Sequence, residues 1–183
     1  FLGEKSFEGC NGLINVAITA QTEFQADSNC FYKINKLESA HIISKKVTIS
    51  NNCFACCSSM VSFTITSADE ALFCEKAFDC CKNIETINVS AIERFKACVF
   101  CFNKDYKLRI IKINSKNIFF GGHCFDNCSS LSQVDCPSAD EITFFENSFN
   151  GSNFDKYLKC PSTANTMKIQ YKQNQNENEC EIC

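Results

Sequence analysis

Tryptophan is absent from the 183 residues, and histidine occurs only twice. A hydrolytic centre needs a nucleophile, a base and an orienting group brought together, and two isolated histidines offer a poor start on one. Glycine is limited to six residues. No Gly-rich phosphate loop is present, and Gly121-Gly122 is most simply a turn. No apolar run approaches the roughly 18 residues that a membrane-spanning helix requires. Neither charge dominates: 18 Lys and Arg oppose 21 Asp and Glu, for a net charge of −3. That balance excludes a generally basic nucleic-acid binder, so no nucleic-acid partner is expected. The sequence opens on Phe1 rather than Met, so a signal peptide preceding it would not be visible here.

What the chain does have is 45% hydrophobic residues, 18 Phe and 16 Cys. A real core is therefore available. The excess of Phe, Lys and Asn is what an AT-rich genome yields by itself and carries no function. The apolar residues are spaced with a long period. Phe7, Cys10, Leu13, Val16 and Ile18 share their spacing with Phe54, Cys57, Met60, Phe63 and Ile65. Phe78, Cys81, Ile84, Ile87 and Val89 follow it again, as do Phe125, Cys128, Leu131, Val134 and Cys136. Weaker copies start at Phe31, Phe102 and Phe149. The Phe anchors 7, 31, 54, 78, 102, 125 and 149 stand 23 or 24 residues apart. Two more apolar slots lie seven and five residues before each anchor, as in Phe24 and Ala26 or Val47 and Ile49. Of the 41 frame positions 40 are apolar, the exception being Asp155.

Each part of the period has a physical reading. Phe, Cys and Leu at i, i+3 and i+6 line one side of a tight helical or 3₁₀ segment. The x-Ile-x-Ile alternation that follows is strand behaviour, and the upstream pair makes a second short strand. None of these elements can bury its apolar side alone, but stacked coils can. The predicted fold class is therefore a repeat solenoid with short parallel strands and short helical or 3₁₀ turns. Its seven coils of 23–24 residues fill residues 1–160 and carry an internal spine of stacked Phe rings. At the ~4.8 Å strand spacing they span roughly 34 Å.

This frame resembles the BspA-like class of leucine-rich repeat proteins, in which a small residue, Phe-x-x-Cys-x-x-Leu-x-x-Ile-x-Ile and an upstream Val-x-Ile recur together. The resemblance covers residues 2 to 160. Ile34, Asp105 and Ser152 depart from it at the Cys slot, and Phe154 marks a slipped register. The resemblance implies an extended binding surface and no catalysis, so the chain reads as non-enzymatic and without cofactors.

The repeat also accounts for most of the cysteines. Cys10, Cys57, Cys81 and Cys128 fill the frame's Cys slot. Cys30, Cys53, Cys101 and Cys124 fill the small-residue slot before Phe. Cys136 and Cys160 replace the last Ile. Ten of the 16 are thus small buried apolar side chains. Same-slot cysteines in adjacent coils have parallel Cβ vectors about 4.8 Å apart, whereas bridging prefers about 3.8 Å. Free stacked thiols and a reducing compartment are therefore expected. The outer pairs Cys56 with Cys80 and Cys74 with Cys98 are the disulfide candidates, because loops can adjust there. Cys53-x-x-Cys56 and Cys98-x-x-Cys101 have zinc-motif spacing, but one Cys of each faces the core, so no metal site is expected.

His41 falls on the strand of repeat two and His123 before Phe125. Four coils, roughly 19 Å, separate them, so they share no site. The remaining reading is a protein-recognition module. Its candidate partner-binding residues are the outward ones around the Ile slots: Ser39, His41, Ser62, Thr64, Thr86, Asn88, Ile110, Lys112, Gln133, Asp135, Tyr157 and Lys159, with Asn15 and Ala17 in the first coil. Tyr157, His41, Ile110 and Lys112 are the expected anchors. Arg109, Lys112, Lys156 and Lys159 form either a partner-facing basic patch or an ordinary solubilising surface. The alternative is a structural, self-associating surface or adhesion protein whose end coil pairs with another copy. The sequence names neither the partner nor the oligomeric state.

After Pro161 the frame ends. Met167, Ile169 and Tyr171 alternate as a capping strand would, and 173–179 is a polar tract read as a flexible tail. If Cys183 closes the chain, Cys180-Glu181-Ile182-Cys183 has the outline of a prenylation box, which makes Cys180 the candidate lipidation site; the alternatives are a plain disordered end and metal or redox use of the Cys pair. Some protist members of the resembled class share such an end without a membrane span. One prenyl chain gives only marginal membrane binding, and Lys168 and Lys172 are too few for a polybasic patch. A working box would give peripheral association at the inner face of the plasma membrane. Cytoplasmic residence agrees with reduced thiols, and a cell-surface or secreted location is the alternative.

Overall fold

The computed structural model describes residues 1–152 and, beyond them, the strands at 158–159 and 168–172. The chain runs through β1 (Asn15–Thr19), β2 (Glu23–Ala26), β3 (Ser39–Ile43), β4 (Lys46–Ile49), β5 (Ser62–Phe73), β6 (Thr86–Ala97), β7 (Ile110–Asn114), β8 (Asn117–Phe120), β9 (Gln133–Asp135), β10 (Glu141–Phe145), β11 (Leu158–Lys159) and β12 (Lys168–Lys172). All the pairings among these strands are parallel, and each joins one coil to the next. They form two ladders. One runs β1-β3-β5-β6-β7-β9-β11. The other runs β2-β4-β5-β6-β8-β10-β12. β5 and β6 are 12 residues long and contribute to both ladders, with register shifts where the chain turns between them.

The registers follow from the repeat. Ile42 pairs with Ile65 and Val47 with Ala71, each one repeat apart. The apolar slots point inward along the strands from β2 to β10, giving the burial alternation seen in β3 and β7, and are half-buried in β1. The corner between the two strands of a coil holds a further small residue that the frame had not included: Ala20, Ser44, Ala68, Ala91, Ser115 and Ala139. All but Ala20 are buried. Ser44 and Ser115 satisfy their hydroxyls on the carbonyls of Lys46 and Asn117, two residues on (3.1 and 3.3 Å). In β12, Ile169 and Tyr171 pair with Ile142 and Phe144.

The Phe anchors stack in one column. Successive ring centroids lie 5.2, 4.8, 5.5, 5.5, 5.3 and 5.1 Å apart from Phe7 to Phe149, with interplanar angles of 17° or less. Phe31, Phe54, Phe78, Phe102 and Phe125 are at most 2% exposed. Phe7 and Phe149 are half-buried. Phe63, Phe73, Phe95, Phe120 and Phe144 also lie in the core, and Phe63, Phe73 and Phe120 stand edge-on to the column.

The segment around each Phe differs from the expected helix. Among the described residues it contains no helix; it is a chain of turns. The residue two before each anchor has positive φ (Lys5, Asn29, Asn52, Lys76, Phe100, His123 and Asn147). So does the residue two after (Gly9, Lys33, Cys56, Cys80, Lys104, Asn127 and Gly151). A left-handed residue interrupts a right-handed helix at once. It also divides the amides between two tasks. Cys30 and Tyr32 donate locally to Asp27 and Asn29 (3.1 Å each). Asn29, Phe31 and Lys33 donate instead to Asn51, Cys53 and Ala55 of the next coil (3.0, 2.9 and 3.0 Å). A helix would spend all of these amides within the coil. The alternating turn keeps half of them for the neighbour, so the coils are hydrogen-bonded along this wall as well as along both ladders.

One close approach is specific to a single coil. A Cβ on Gly121 would lie 2.7 Å from the Cys98 carbonyl carbon and 2.8 Å from the Val99 nitrogen. Only glycine fits there.

Candidate recognition face

Because side chains alternate along a strand and the registers are parallel, the outward residues of the first ladder fall into rows. One row is Asn15, Ser39, Ser62, Thr86, Ile110 and Gln133. The next is Ala17, His41, Thr64, Asn88, Lys112 and Asp135. Asn15, Ala17, His41 and Lys112 are exposed, and the others are half-buried by their neighbours along the row. Ser39 Oγ donates to Asn15 Oδ1 (2.7 Å), and His41 Nε2 lies 3.1 Å from Thr66 Oγ1. Lys112 and Asp135, opposite in charge, are register partners. Tyr157 lies outside the described residues. Lys159 pairs with Asp135 through its backbone.

An open groove of about 360 Å³ runs along the edge where these strands begin, lined by Glu38, Ser59, Val61, Asn83, Glu85 and Lys107. Glu38, Val61 and Glu85 are the residues just before β3, β5 and β6, so the groove continues the face. The second ladder has an outward row that sequence reading missed: Gln25, Thr48, Leu72, Lys96 and Phe119. The Lys96 ammonium sits 5.0 Å over the Phe119 ring, which in turn lies 5.0 Å from Phe145. The signal was present, since each of these residues stands between two inward upstream slots.

His123 occupies a turn position, not the face. It stacks on Phe100 (5.0 Å) and its Nδ1 meets Asp126 Oδ2 at 2.9 Å. It and His41 are not brought together. Among the described residues, no three His, Cys, Asp or Glu converge as a metal site. Cys180 lies outside the described residues.

The cysteines divide into three sets. Cys30, Cys53, Cys57, Cys81, Cys101, Cys124 and Cys128 are buried thiols. Three of them donate to the Phe carbonyl of the preceding coil: Cys57 to Phe31 (3.1 Å), Cys81 to Phe54 (3.1 Å) and Cys128 to Phe102 (2.9 Å). Burial pushes the Cys57 thiol up to about 12 and raises Cys53, Cys81, Cys101 and Cys128 as well. Cys10, in the end coil, is exposed and not buried as its slot had suggested, while Cys56 and Cys80 are half-buried. Cys74 and Cys98 are disulfide-bonded. They follow the register partners Phe73 and Ala97, so adjacent coils bridge at this slot despite their parallel Cβ vectors. Cys136 is buried. Among the described cysteines, a thiol reagent should modify only Cys10, Cys56 and Cys80 in the native protein and reach the buried ones only on unfolding. Peptide mapping after brief alkylation checks this, and native labelling of Cys53 or Cys101 would contradict it.

A buried carboxyl interrupts the thiol ladder. Asp105 takes the Cys slot between Cys81 and Cys128 and is wholly buried, with neither oxygen hydrogen-bonded. Desolvation raises its pKa well above the usual carboxylate range. The Cys81 amide offsets part of this, but its hydrogen is already committed to the Phe78 carbonyl (3.2 Å).

A family model for the BspA type leucine-rich repeat region matches residues 1–103 and 75–180, in six copies. No curated protein matches the chain. Among solved structures, a leucine-rich repeat protein from Bacteroides ovatus is similar at 13% identity, over 92% of this chain and 77% of that one, with a TM-score of 0.31. At that score the likeness adds nothing to the fold, which rests on the repeat frame, the parallel ladders and the family match. On these grounds the chain belongs to the BspA-type leucine-rich repeat family.

Proposed function

We propose that this chain is a non-catalytic protein-recognition module and that the outward rows of the first ladder take the partner. Leucine-rich repeat modules generally mediate protein interactions, which supports the reading at the level of the family. The observation that carries it further is the continuity of the rows, which cross six parallel strands without interruption from Asn15 to Gln133 and from Ala17 to Asp135. Small hydroxyl and amide side chains make most of this surface flat. His41 and Lys112 are exposed on it and Ile110 is half-buried in the same rows, and together they combine apolar and polar contact, as interface anchors do.

The test is a pull-down from the native cell followed by titration of whatever partner is recovered. A variant with His41, Ile110 and Lys112 all changed to Ala is expected to bind about tenfold or more weakly. A control changing Thr48 and Lys96 on the other ladder should bind as the parent does. Equal binding by both variants removes the face. If the only partner recovered is a second copy, established by concentration-dependent sedimentation, the module is a self-associating one instead.

A further inference from the structure

We propose that Cys56 and Cys80 are the oxidation site of the solenoid, a surface dithiol that a low-molecular-weight disulfide such as oxidised glutathione converts into a second inter-coil disulfide. Both residues stand two positions after a Phe anchor, in adjacent coils, and both hold the left-handed conformation, with φ of 60° and 62°. The Cys56 amide donates to the Asp79 carbonyl at 2.8 Å, which fixes the two backbones one coil apart at this point. The Cys74–Cys98 bond demonstrates that cysteines sharing a slot in adjacent coils of this solenoid can be joined. Three other reduced pairs share a slot in the same way: Cys30 with Cys53, Cys57 with Cys81, and Cys101 with Cys124. All six of those residues are buried, whereas Cys56 and Cys80 are both half-exposed. An external oxidant therefore reaches this pair and not the others.

The order of events follows from the surroundings. Partial burial and the Asp79 carboxylate hold the Cys80 thiol up to about 11, with Lys104, the next residue along the same wall, opposing weakly. Cys80 thus stays protonated, and Cys56 makes the first attack. The Cys56 thiolate displaces one thiolate from the small disulfide and becomes a mixed disulfide. Cys80 then gives its proton to solvent and attacks the Cys56 sulfur, forming the Cys56–Cys80 bond and releasing the second small thiol. Two protein thiols are oxidised and one small disulfide is reduced to two thiols, so no further oxidant enters. The coils of Phe54, Phe78 and Phe102 are then linked covalently, by Cys56–Cys80 on one side of the Phe78 coil and Cys74–Cys98 on the other.

The experiment uses the full chain with its native disulfide, incubated with oxidised glutathione, then alkylated and mapped by mass spectrometry. The expected product is a Cys56–Cys80 cross-linked peptide that forms before any of the buried thiols reacts. Cys10 is an internal control. It is exposed but faces Ile34 in the next coil's slot, so it should stop at the glutathione adduct. Cys80→Ser should leave Cys56 as a stable adduct, and Asp79→Asn should speed closure in the otherwise unchanged chain. Stable adducts on both Cys56 and Cys80 without a cross-link would overturn the proposal, as would a first cross-link within a buried pair.

Discussion

Replacing Phe78 with Ala should lower the unfolding free energy by about 3–5 kcal/mol, measured by equilibrium denaturation. The ring has no exposed surface. It stacks between Phe54 and Phe102 at 5.5 Å on each side, and Phe63 and Phe73 close on it at 4.7 and 5.1 Å. Five aromatic side chains thus meet at one point, and rings held between fixed coils collapse poorly into a cavity. A solenoid's stability is nearly a sum of coil terms and nearest-neighbour terms. A truncation at Phe78, stacked on both sides, therefore weakens two interfaces, where one at Phe7, stacked on Phe31 alone among the described residues, weakens one. Phe7→Ala, with a half-buried ring and a single stacked neighbour, is the matched comparison and should cost clearly less. A cost below about 1 kcal/mol at Phe78, or equal costs at both sites, would contradict the account.

Asp105→Cys should act in the opposite direction and stabilise the protein by about 1–3 kcal/mol near neutral pH, the range associated with a buried polar group left without a partner. The substitution restores the residue type that the slot holds in coils on both sides. In those coils the thiol donates to the Phe carbonyl one coil back, and the corresponding acceptor here is the carbonyl of Phe78. The pH dependence gives an independent readout. The Asp105 carboxyl titrates well above the usual range in the folded protein and near 3.9 in the unfolded chain. The folded state thus binds the extra proton, and the parent's stability is fully present below about pH 4. It falls as pH rises through the window between the unfolded and folded values. The variant lacks that fall, so the stability difference between the two proteins should widen from acid towards neutral pH. A difference that is constant with pH would exclude Asp105 as its source.

The repeat period made most of the fold legible, because a coil's burial pattern is local arithmetic. Among the described residues, the anchors, the Ile slots and the upstream slots fall where spacing placed them, and even the burial of Asp105 was implicit in its slot. Three features were not legible, and all three depend on neighbouring coils. The left-handed turns exist because alternate amides must reach the next coil. Asn29, Asn52 and Asn147 hint at this, but Lys76, Phe100 and Cys80 adopt the same φ with no propensity for it. The expected helix failed for that reason. The corner residues Ser44, Ala68, Ala91 and Ser115 are recognisable only as small, a weak signal in a chain rich in Ser and Ala. The choice of Cys74–Cys98 over Cys56–Cys80 as the native bridge turns on side-chain placement that spacing does not carry. The outward rows of the first ladder followed from strand alternation. The Leu72–Lys96–Phe119 row was equally available, because the same alternation governs the upstream strand.

The direction of the hydrogen bonds has a mechanical meaning. In the ladders and along the turn wall they lie parallel to the solenoid axis, so tension between the two ends opens them a coil at a time instead of shearing them together. Each coil released adds about 80 Å of extended chain in place of one strand spacing. The Cys74–Cys98 bond removes one such step, since the 23 residues between its cysteines cannot be drawn out. Under load, that step is a stop.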